Sequence, residues 1–215
     1  RKAAGQGHAK SQFQVGLVYF GSLKDTPEAV RWFRKAADQG FPGAQSRLGV
    51  AYENGEGVDK DEIKAVQWYR KAADQGFVNA QFNLAELYGS GKELTRDNEK
   101  AVQWYRKAAD QGDTDAQHNL ASMYYHGMGV AQDYNEAAKW YRKAAGQGHA
   151  KSQFQVGLVY FGSLKDTPEA VRWFRKAADQ GFPGAQSRLG VAYENGEGVD
   201  KDEIKAVQWY RKAAD

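Results

Sequence analysis

Imidazole side chains are the first residues in this sequence that could perform acid–base catalysis or bind a metal. The chain has four of them, His8, His118, His126 and His149. None stands in the His-x-x-x-His or His-Glu-x-x-His spacing that places two metal ligands on one face of a helix. The sequence also has no cysteine, which excludes disulfides, thiolate-bound metals and a cysteine nucleophile. His118 and His126 could share a helical face, and we expect exposed polar residues there rather than ligands.

Other catalytic and phosphate-binding patterns are weak or missing. The glycine-containing segment Gly55-Glu56-Gly57 resembles a phosphate loop only superficially, because it lacks the Gly-Lys-Ser/Thr ending. Since the segment recurs along the chain, we interpret it as a structural turn. There is no Gly-x-Ser-x-Gly elbow and no Ser-x-x-Lys pair. We therefore predict that the protein is not an enzyme, with no catalytic residue, no metal site and no cofactor.

The charge balance bears on nucleic-acid and membrane partners. Lys and Arg number 30 against 27 Asp and Glu, a net charge of +3, so no strong field attracts nucleic acid or anionic lipid. Recurring Arg-Lys pairs could form a basic ladder for RNA phosphates. Each unit also carries acids such as Asp38, Asp61 and Glu62, and cations suit the end of a helix, so we expect a solvated face there. No apolar run approaches the ~20 residues that cross a bilayer, and we predict no membrane insertion.

Internal repetition is the dominant feature of the sequence. The Arg of the string Arg-Lys-Ala-Ala-x-Gln-Gly falls at 1, 34, 70, 106, 142, 175 and 211, the last copy being incomplete. We predict one repeat array: a partial helix at 1–7, then units 8–40, 41–76, 77–112, 113–148, 149–181 and 182–215. Residues 142–215 also repeat residues 1–74 without a change. Such identity indicates either a very recent duplication or construction by hand.

Each unit is predicted to hold two helices. In the second unit, Ala44, Leu48 and Tyr52 stand four apart and form one helical stripe. Trp68 and Ala72 continue the same period in a second, amphipathic helix. Aspartates precede the second helices as N-cap candidates, and glycines follow them as C-cap residues: Asp25, Asp61, Asp97, Asp133, Asp166 and Asp202; Gly40, Gly76, Gly112, Gly148 and Gly181. Because proline suits the first helical position, Thr26-Pro27 and Thr167-Pro168 are candidates for a cap shifted by one residue.

Aromatic residues recur at fixed positions and predict the core. All six tryptophans share one repeat position, and a tyrosine recurs at another. Small residues at a third position would let the helices approach while the rings fill the remaining gap: Gly16, Gly49, Ala85, Ala121, Gly157 and Gly190. An isolated helix pair could not bury these faces, so we expect stability to come from stacking on neighbouring units.

These residues together resemble a known family. The pattern Ala-Gln-x-x-Leu-(Gly/Ala)-x-x-Tyr, then Gly-x-Gly-Val, Asp and Ala-x-x-Trp-Tyr-x-Lys-Ala-Ala-x-Gln-Gly is similar to the Sel1-like repeat, and it covers essentially the whole chain. The resemblance implies an all-α, right-handed α/α superhelical solenoid, related to tetratricopeptide repeats. The two 33-residue units lack Gly-x-Gly-Val, and Gly91-Lys92-Glu93-Leu94 has Leu in place of Val. We expect tighter turns at these departures.

The resemblance also implies a function. Sel1-like proteins are often adaptors in bacterial envelope, secretion, toxin-neutralising or signalling settings, and in protein quality control. We therefore predict a non-catalytic scaffold that binds a partner protein. The alternative is a small-ligand binder or β-lactam-hydrolysing enzyme, as in cysteine-rich relatives, but those relatives carry a disulfide in each repeat and this chain has no cysteine.

A binding surface follows from the same resemblance, which implies that the first helices line the concave side of the solenoid. Positions that vary between units share one helical face there, and aromatic residues among them suit protein recognition. For Phe13, Phe82 and Phe154, packing between helices is the alternative. We call the predicted set the first-helix face: Phe13, Leu17, Phe20, Ser46, Val50, Glu53, Phe82, Glu86, His118, Ser122, Tyr125, Phe154, Leu158 and Phe161.

Two expectations concern the ends and the duplication. Neither end of the sequence has a dedicated polar cap, so we expect exposed core-type residues and head-to-tail self-association. The chain begins at Arg1 without a methionine, and any targeting segment would precede it. Because residues 149–215 repeat residues 8–74, a site on the first copy is presented again on the second.

Overall fold

The computed structural model of the chain describes residues 2–91 and 96–214, with side chains from residue 8 onward. All regular secondary structure in this part of the chain is helical, which confirms the predicted all-α class. Each repeat contributes a first helix, with an odd number below, and a second helix, with an even number. The helices are α1 Lys2–Gly21, α2 Thr26–Asp38, α3 Pro42–Asn54, α4 Glu62–Ala73, α5 Val78–Ser90, α6 Asn98–Asp110, α7 Thr114–His126, α8 Tyr134–Gly146, α9 Ala150–Leu158, α10 Thr167–Asp179, α11 Pro183–Asn195 and α12 Glu203–Ala214.

The helices form two compact units. Residues 1–111 hold α1 to α6, and residues 112–215 hold α7 to α12. A π-helical turn, Val159–Ser163, extends α9 in the second unit. Within each unit, a helix packs on the one before it and the one after it. The core therefore runs between consecutive helices.

The second helices begin at the predicted aspartates. The Asp61 carboxylate accepts a hydrogen bond of 2.9 Å from the Lys64 N–H, and the other five aspartates cap their helices in the same way. The expected cap shift in the 33-residue units is wrong, because Asp25 remains the N-cap and Thr26 is the first helical residue. The predicted glycines are not the C-cap residues: the C-cap is a glutamine, or Asp74 after α4, and the glycine lies beyond it. The φ of these glycines lies between +82° and +93°, where glycine is favoured.

Two kinds of turn join the helices of a repeat. In the first 36-residue repeat, residues 41–76, Gly55 and Gly57 have φ of +76° and +72°. A β-carbon on Gly57 would lie 2.5 Å from the Thr26 carbonyl, so this glycine lets the loop touch the preceding repeat. In the first 33-residue repeat, four residues after Gly21 complete the turn, with Lys24 in the left-handed region at φ +54°. The tighter turn predicted there is confirmed, whereas Lys92 to Leu94 lie outside the described residues.

Ring packing sets the register within each repeat. A β-carbon placed on Gly16 would lie 2.6 Å from the Phe33 ring, and one on Gly157 would lie 2.5 Å from the Phe174 ring. Tyr69 and Tyr210 occupy the same place against Gly49 and Gly190. The small positions therefore let rings lie directly on the first helix, as predicted, but the rings belong to the residue after each tryptophan and not to the two aromatic positions singled out in the sequence.

Glutamine side chains link each repeat to the next. Gln45 of α3 donates a hydrogen bond of 3.2 Å to the Ala37 carbonyl at the end of α2. Its own oxygen accepts a hydrogen bond of 2.7 Å from Gln75, which follows α4. The same pair of hydrogen bonds recurs at Gln81 and, in the compact unit of residues 112–215, at Gln153. Each of these carbonyls also accepts a backbone N–H from the glycine that follows the helix, so the amide adds a second hydrogen bond, contributed by the next repeat.

The start of the chain differs from the prediction. The partial helix expected at 1–7 and the first helix of unit 8–40 form one continuous helix, Lys2–Gly21. The identical string at 142–148 instead ends a helix, and Gly148 has φ +88°. Those later residues follow the buried Trp140 and Tyr141 of α8, which hold the helix against its neighbours up to that end.

The glutamine links predict a specific loss of stability. Gln81→Ala removes the donor to the Ala73 carbonyl and the acceptor for Gln111, both in buried or partly buried places. We expect the free energy of unfolding to fall by about 1–2 kcal/mol, since two hydrogen bonds are lost while the Ala73 carbonyl keeps the Gly76 N–H and Gln111 keeps the Gly76 carbonyl. Urea unfolding followed by circular dichroism measures this change. Gln103→Ala, at an exposed position of α6, is the matched control, and an equal loss in both variants would contradict the prediction.

Candidate functional site

The first-helix face lies on the first helices of both units. In residues 1–111 it occupies α1, α3 and α5; in residues 112–215 it occupies α7, α9 and the π-helical turn. Glu86 is exposed, and Ser46 and His118 are buried. The other members are half-buried: Phe13, Leu17, Phe20, Val50, Glu53, Phe82, Ser122, Tyr125, Phe154, Leu158 and Phe161.

Three phenylalanines of the face pack against their own second helices. Ring centroids are 5.6 Å apart for Phe13 and Phe33, and 5.8 Å apart for Phe154 and Phe174. Phe82 meets Tyr105 edge-on at 5.9 Å. Phe13 and Phe154 also pack against Phe41 and Phe182 of the next repeat, at 5.1 and 5.0 Å, so packing between helices accounts for most of these rings.

Two further phenylalanines are covered by arginines. The Arg47 guanidinium carbon lies 5.0 Å from the Phe20 ring centroid, and Arg188 lies 5.4 Å from Phe161. A guanidinium over an aromatic face is an attractive cation–π arrangement. Each pair joins a first helix to the first helix of the next repeat, and each lies within one compact unit.

Tyr125 is the aromatic member of the face on α7. Its ring is edge-on to Tyr134 at 5.3 Å and to His126 at 4.9 Å. These contacts fix the ring while part of it stays accessible.

Polar members of the first-helix face form hydrogen bonds with tyrosines from the second helices. Tyr69 donates a hydrogen bond of 2.7 Å to Glu53, and Tyr105 donates to Glu86. Burial, followed by the bond to Glu53, raises the pKa of Tyr69 above its ordinary value. Burial likewise raises the pKa of Tyr141 to about 12, against a smaller opposing effect of its hydrogen bond with Ser122. The tyrosines therefore act as neutral hydrogen-bonding groups, not as bases.

Ser46 departs from the prediction of an exposed residue. It is only 6% exposed, whereas Ser187, at the same place in the second copy, is exposed. Helix α5 packs on α3, whereas among the described residues α11 is followed only by its own second helix, α12. Accessibility at this position therefore depends on the following repeat.

His118 also departs from the prediction, since it is 7% exposed rather than on the surface. Its Nδ1 lies 2.8 Å from the Ser152 hydroxyl of α9, and its ring contacts Tyr141 and His149. Burial, with Lys151 as the next contribution, lowers the pKa of His118 to about 4. This imidazole is neutral at pH 7.

The same cluster resembles a catalytic triad in composition only. His149 Nδ1 lies 2.6 Å from the Ser152 hydroxyl, and its Nε2 lies 3.9 Å from Asp115. Ser152 has an exposed fraction of 0%, so no substrate could reach its oxygen. Its hydroxyl instead joins two histidines across the junction of α7 and α9.

Metal binding needs a cluster of ligands, and membrane insertion needs a long apolar helix. No group of three or more His, Cys, Asp or Glu side chains in that part of the chain could hold a metal ion. No helix there is both long and apolar enough to cross a lipid bilayer.

The second helices carry a cation–π arrangement that the sequence reasoning missed. In every repeat the lysine three residues after the tryptophan places its ammonium 3.7–4.2 Å from the indole centroid. Arg34 and Arg175 donate hydrogen bonds to the hydroxyls of Tyr52 and Tyr193 in the next repeat. Most of the basic ladder considered for RNA therefore packs on aromatic rings. The recurring Trp-x-x-Lys spacing was the signal that could have indicated it.

A family model decides what kind of chain this is. The model of the Sel1 repeat matches residues 9–41, 42–77, 78–113, 114–149, 150–182 and 183–215. The chain belongs to the Sel1-repeat family. These ranges begin one residue later than the units drawn from the sequence.

Solved Sel1-repeat structures are similar over nearly the whole chain. A protective antigen of uropathogenic Escherichia coli with an SLR fold is 38% identical, with a TM-score of 0.90 over 96% of this chain and 46% of the antigen. A Sel1 repeat protein from Oxalobacter formigenes is 33% identical, with a TM-score of 0.80 over 94% of this chain and 82% of that protein. The chain thus spans less than half of the antigen's length.

A curated relative matches a shorter stretch. The ERAD-associated E3 ubiquitin-protein ligase component HRD3A of Arabidopsis thaliana is 36% identical over 58 residues, which is 25% of this chain and 9% of that protein. Sel1-repeat proteins are in general non-catalytic scaffolds for protein interactions.

The buried His118 predicts a pH dependence of stability in the Sel1 repeats of the second unit. The unfolded residue takes up a proton near pH 6.5 and the folded one only near pH 4. The unfolded state therefore binds more protons between these values, and stability falls as the pH drops from 6.5 towards 4. The loss reaches about 3 kcal/mol at most.

His118→Phe is the test, since Phe13, Phe82 and Phe154 occupy the same repeat position. Thermal unfolding of both proteins at pH 7.5, 6, 5 and 4 should show a smaller loss in the variant below pH 6.5. His126→Phe, at an exposed position, controls for the removal of an imidazole. Parallel pH curves for the wild type and His118→Phe would contradict the prediction.

Proposed function

We propose that this protein is a non-catalytic scaffold that binds a partner protein through the first-helix face. The observation that carries the proposal is the arrangement of half-buried Phe20, Tyr125 and Phe161 on rigidly packed first helices. Each ring is fixed on one side by a neighbouring side chain and accessible on the other. Large rings with few rotamers bind a partner with a small loss of entropy.

Variation between repeats supports the same proposal. The repeat position of Phe20 varies along the chain, whereas the tryptophan position is constant. The six repeats carry Phe20, Glu53, Gly89, Tyr125, Phe161 and Glu194 there. A position that changes from unit to unit gives each unit its own contact, while constant positions keep the packing. We propose that the partner contacts several repeats at once.

The remaining side chains that could perform chemistry support a scaffold over an enzyme. Ser152 and His118 are buried, and Tyr69 and Tyr141 have raised pKa values. The accessible part of the face consists mainly of aromatic and aliphatic groups, which suit a protein surface.

Affinity capture with a variant tests the proposal. The variant carries Phe20→Ala, Tyr125→Ala and Phe161→Ala, which remove half-buried rings from both units. We expect the wild type to recover a protein that the variant recovers at least ~10-fold less, because aromatic anchors dominate such interfaces. Each recovered protein is identified by mass spectrometry and its affinity is measured again with purified components.

The control changes the opposite side of the repeats. Arg31→Ala, Lys139→Ala and Arg172→Ala remove three exposed cations of the second helices and should leave recovery unchanged. Circular dichroism verifies the fold, and light scattering detects association between copies of the chain. Equal recovery by the wild type and the aromatic variant would refute the face as the binding site.

A further inference from the structure

Two arginines of the first helices combine an aromatic contact with an unpaired charge. Arg47 lies over Phe20 at 5.0 Å and Arg188 lies over Phe161 at 5.4 Å. Among the described residues, neither guanidinium has a carboxylate within ion-pairing distance. By contrast, Arg31 and Arg172 of the second helices pair with Glu28 at 3.1 Å and with Glu169 at 3.4 Å.

Arg47 and Arg188 occupy the same repeat position, and they are the same residue in the two copies of the duplicated block, residues 1–74 and 142–215. The other units carry amides at that position: Gln14, Asn83, Asn119 and Gln155. Glutamine has a helix propensity close to that of arginine, and even the weaker helix former asparagine occurs there, so the helical framework does not require the cation. The stacked charge is a feature of these two repeats and not of the repeat pattern.

We infer that each Arg–Phe pair is a binding site for a carboxylate of the partner, carried by an acidic residue that is flanked by an apolar one. The inference rests on the proposed function and adds the chemistry of the partner. One site consists of Arg47 and Phe20, with Leu17 and Val50 beside them, and lies in the first unit. The second consists of Arg188 and Phe161 in the second unit. One chain therefore binds two such segments.

The chemistry favours a carboxylate for two reasons. A guanidinium presents paired N–H donors that match the two oxygens of a carboxylate, and it loses less hydration on burial than an ammonium. The ring beneath it restricts its position, so less freedom is lost when the carboxylate binds. The half-buried Leu17 and Val50 provide apolar contact for the neighbouring residue of the segment.

The two sites differ in their surroundings, which predicts different affinities. Arg47 is half-buried, whereas Arg188 is exposed. A charge-assisted hydrogen bond is stronger where water is partly excluded. We expect the Arg47 site to bind the same segment more tightly than the Arg188 site.

A peptide array followed by calorimetry tests the inference. The probes are acetylated, amidated nonapeptides with a central Glu flanked by Leu or Phe, and the same peptides with Gln, Lys or phosphoserine at the centre. We expect selective retention of the Glu peptides, with at least ~5-fold weaker binding of the Gln peptides. Calorimetry with the best Glu peptide should give two sites per chain.

Variants assign the sites. Arg47→Gln and Arg188→Gln, which introduce a residue found at the same position in other units, should each reduce the stoichiometry from two to one. The double variant should lose binding at least ~10-fold, whereas Arg31→Gln with Arg172→Gln should not change it. The latter pair removes equal charge from the second helices, and therefore controls for a general effect of net charge.

Four results would overturn the inference. These are no retention of any Glu peptide, equal binding of Glu and Gln peptides, preference for phosphoserine alone, or an equal loss in the second-helix control. Failure of the inference is separable from failure of the scaffold proposal. The distinguishing result is a purified partner that loses affinity for the aromatic variant but not for the Arg47→Gln, Arg188→Gln variant. That result supports the first-helix face as the binding surface and refutes the two carboxylate sites.

Discussion

The contact on which the rest of the structure depends is the amide of Gln45 between two repeats. The side chain donates to the Ala37 carbonyl at the end of one second helix and accepts from Gln75 at the end of the next. The Ala37 carbonyl also accepts a backbone hydrogen bond of 2.9 Å from Gly40, so the amide from the following repeat is a second donor at this helix end. Since Gln45 is 5% exposed, water does not replace this donor without opening the junction. The end of one second helix and the stacking of the next repeat are therefore linked through one buried amide.

The duplicated block shows how much each repeat relies on its neighbour. The side chain of Glu62 is 5% exposed, whereas Glu203, the same residue in the second copy, is 76% exposed. Tyr69 is buried and Tyr210 is half-buried, although their local sequences are identical. The difference arises because α5 and α6 follow the first copy of this helix within the chain. Burial is thus a property of adjacent repeats, as expected for a quasi-one-dimensional stack.

This dependence explains which features the sequence could predict. Periodic spacing located the helices, and the aspartates located their first residues, because both signals lie within a few residues of what they determine. The burial of Ser46 and His118 was not predictable in that way, since it comes from the following repeat. His118 is covered by Ser152, 34 residues later. The arginine and lysine contacts with rings were missed because charged residues at regular spacing were interpreted as solvated.

The difference between contacts within a repeat and contacts with the following repeat also bears on the function proposed for the first-helix face. The glycines and glutamines position the first helices through contacts that do not involve the rings of Phe20 and Tyr125. The same repeat position carries Phe, Glu, Gly or Tyr, and where it is Glu53 or Glu194 it accepts a hydrogen bond from a tyrosine of the second helix. A partner would meet side chains already ordered by a packed scaffold, so binding would require little reorganisation of this chain. Where the block is duplicated, Phe20 and Phe161 present the same ring beneath the same cation in separate compact units, and any segment that fits one of them has a second place to bind.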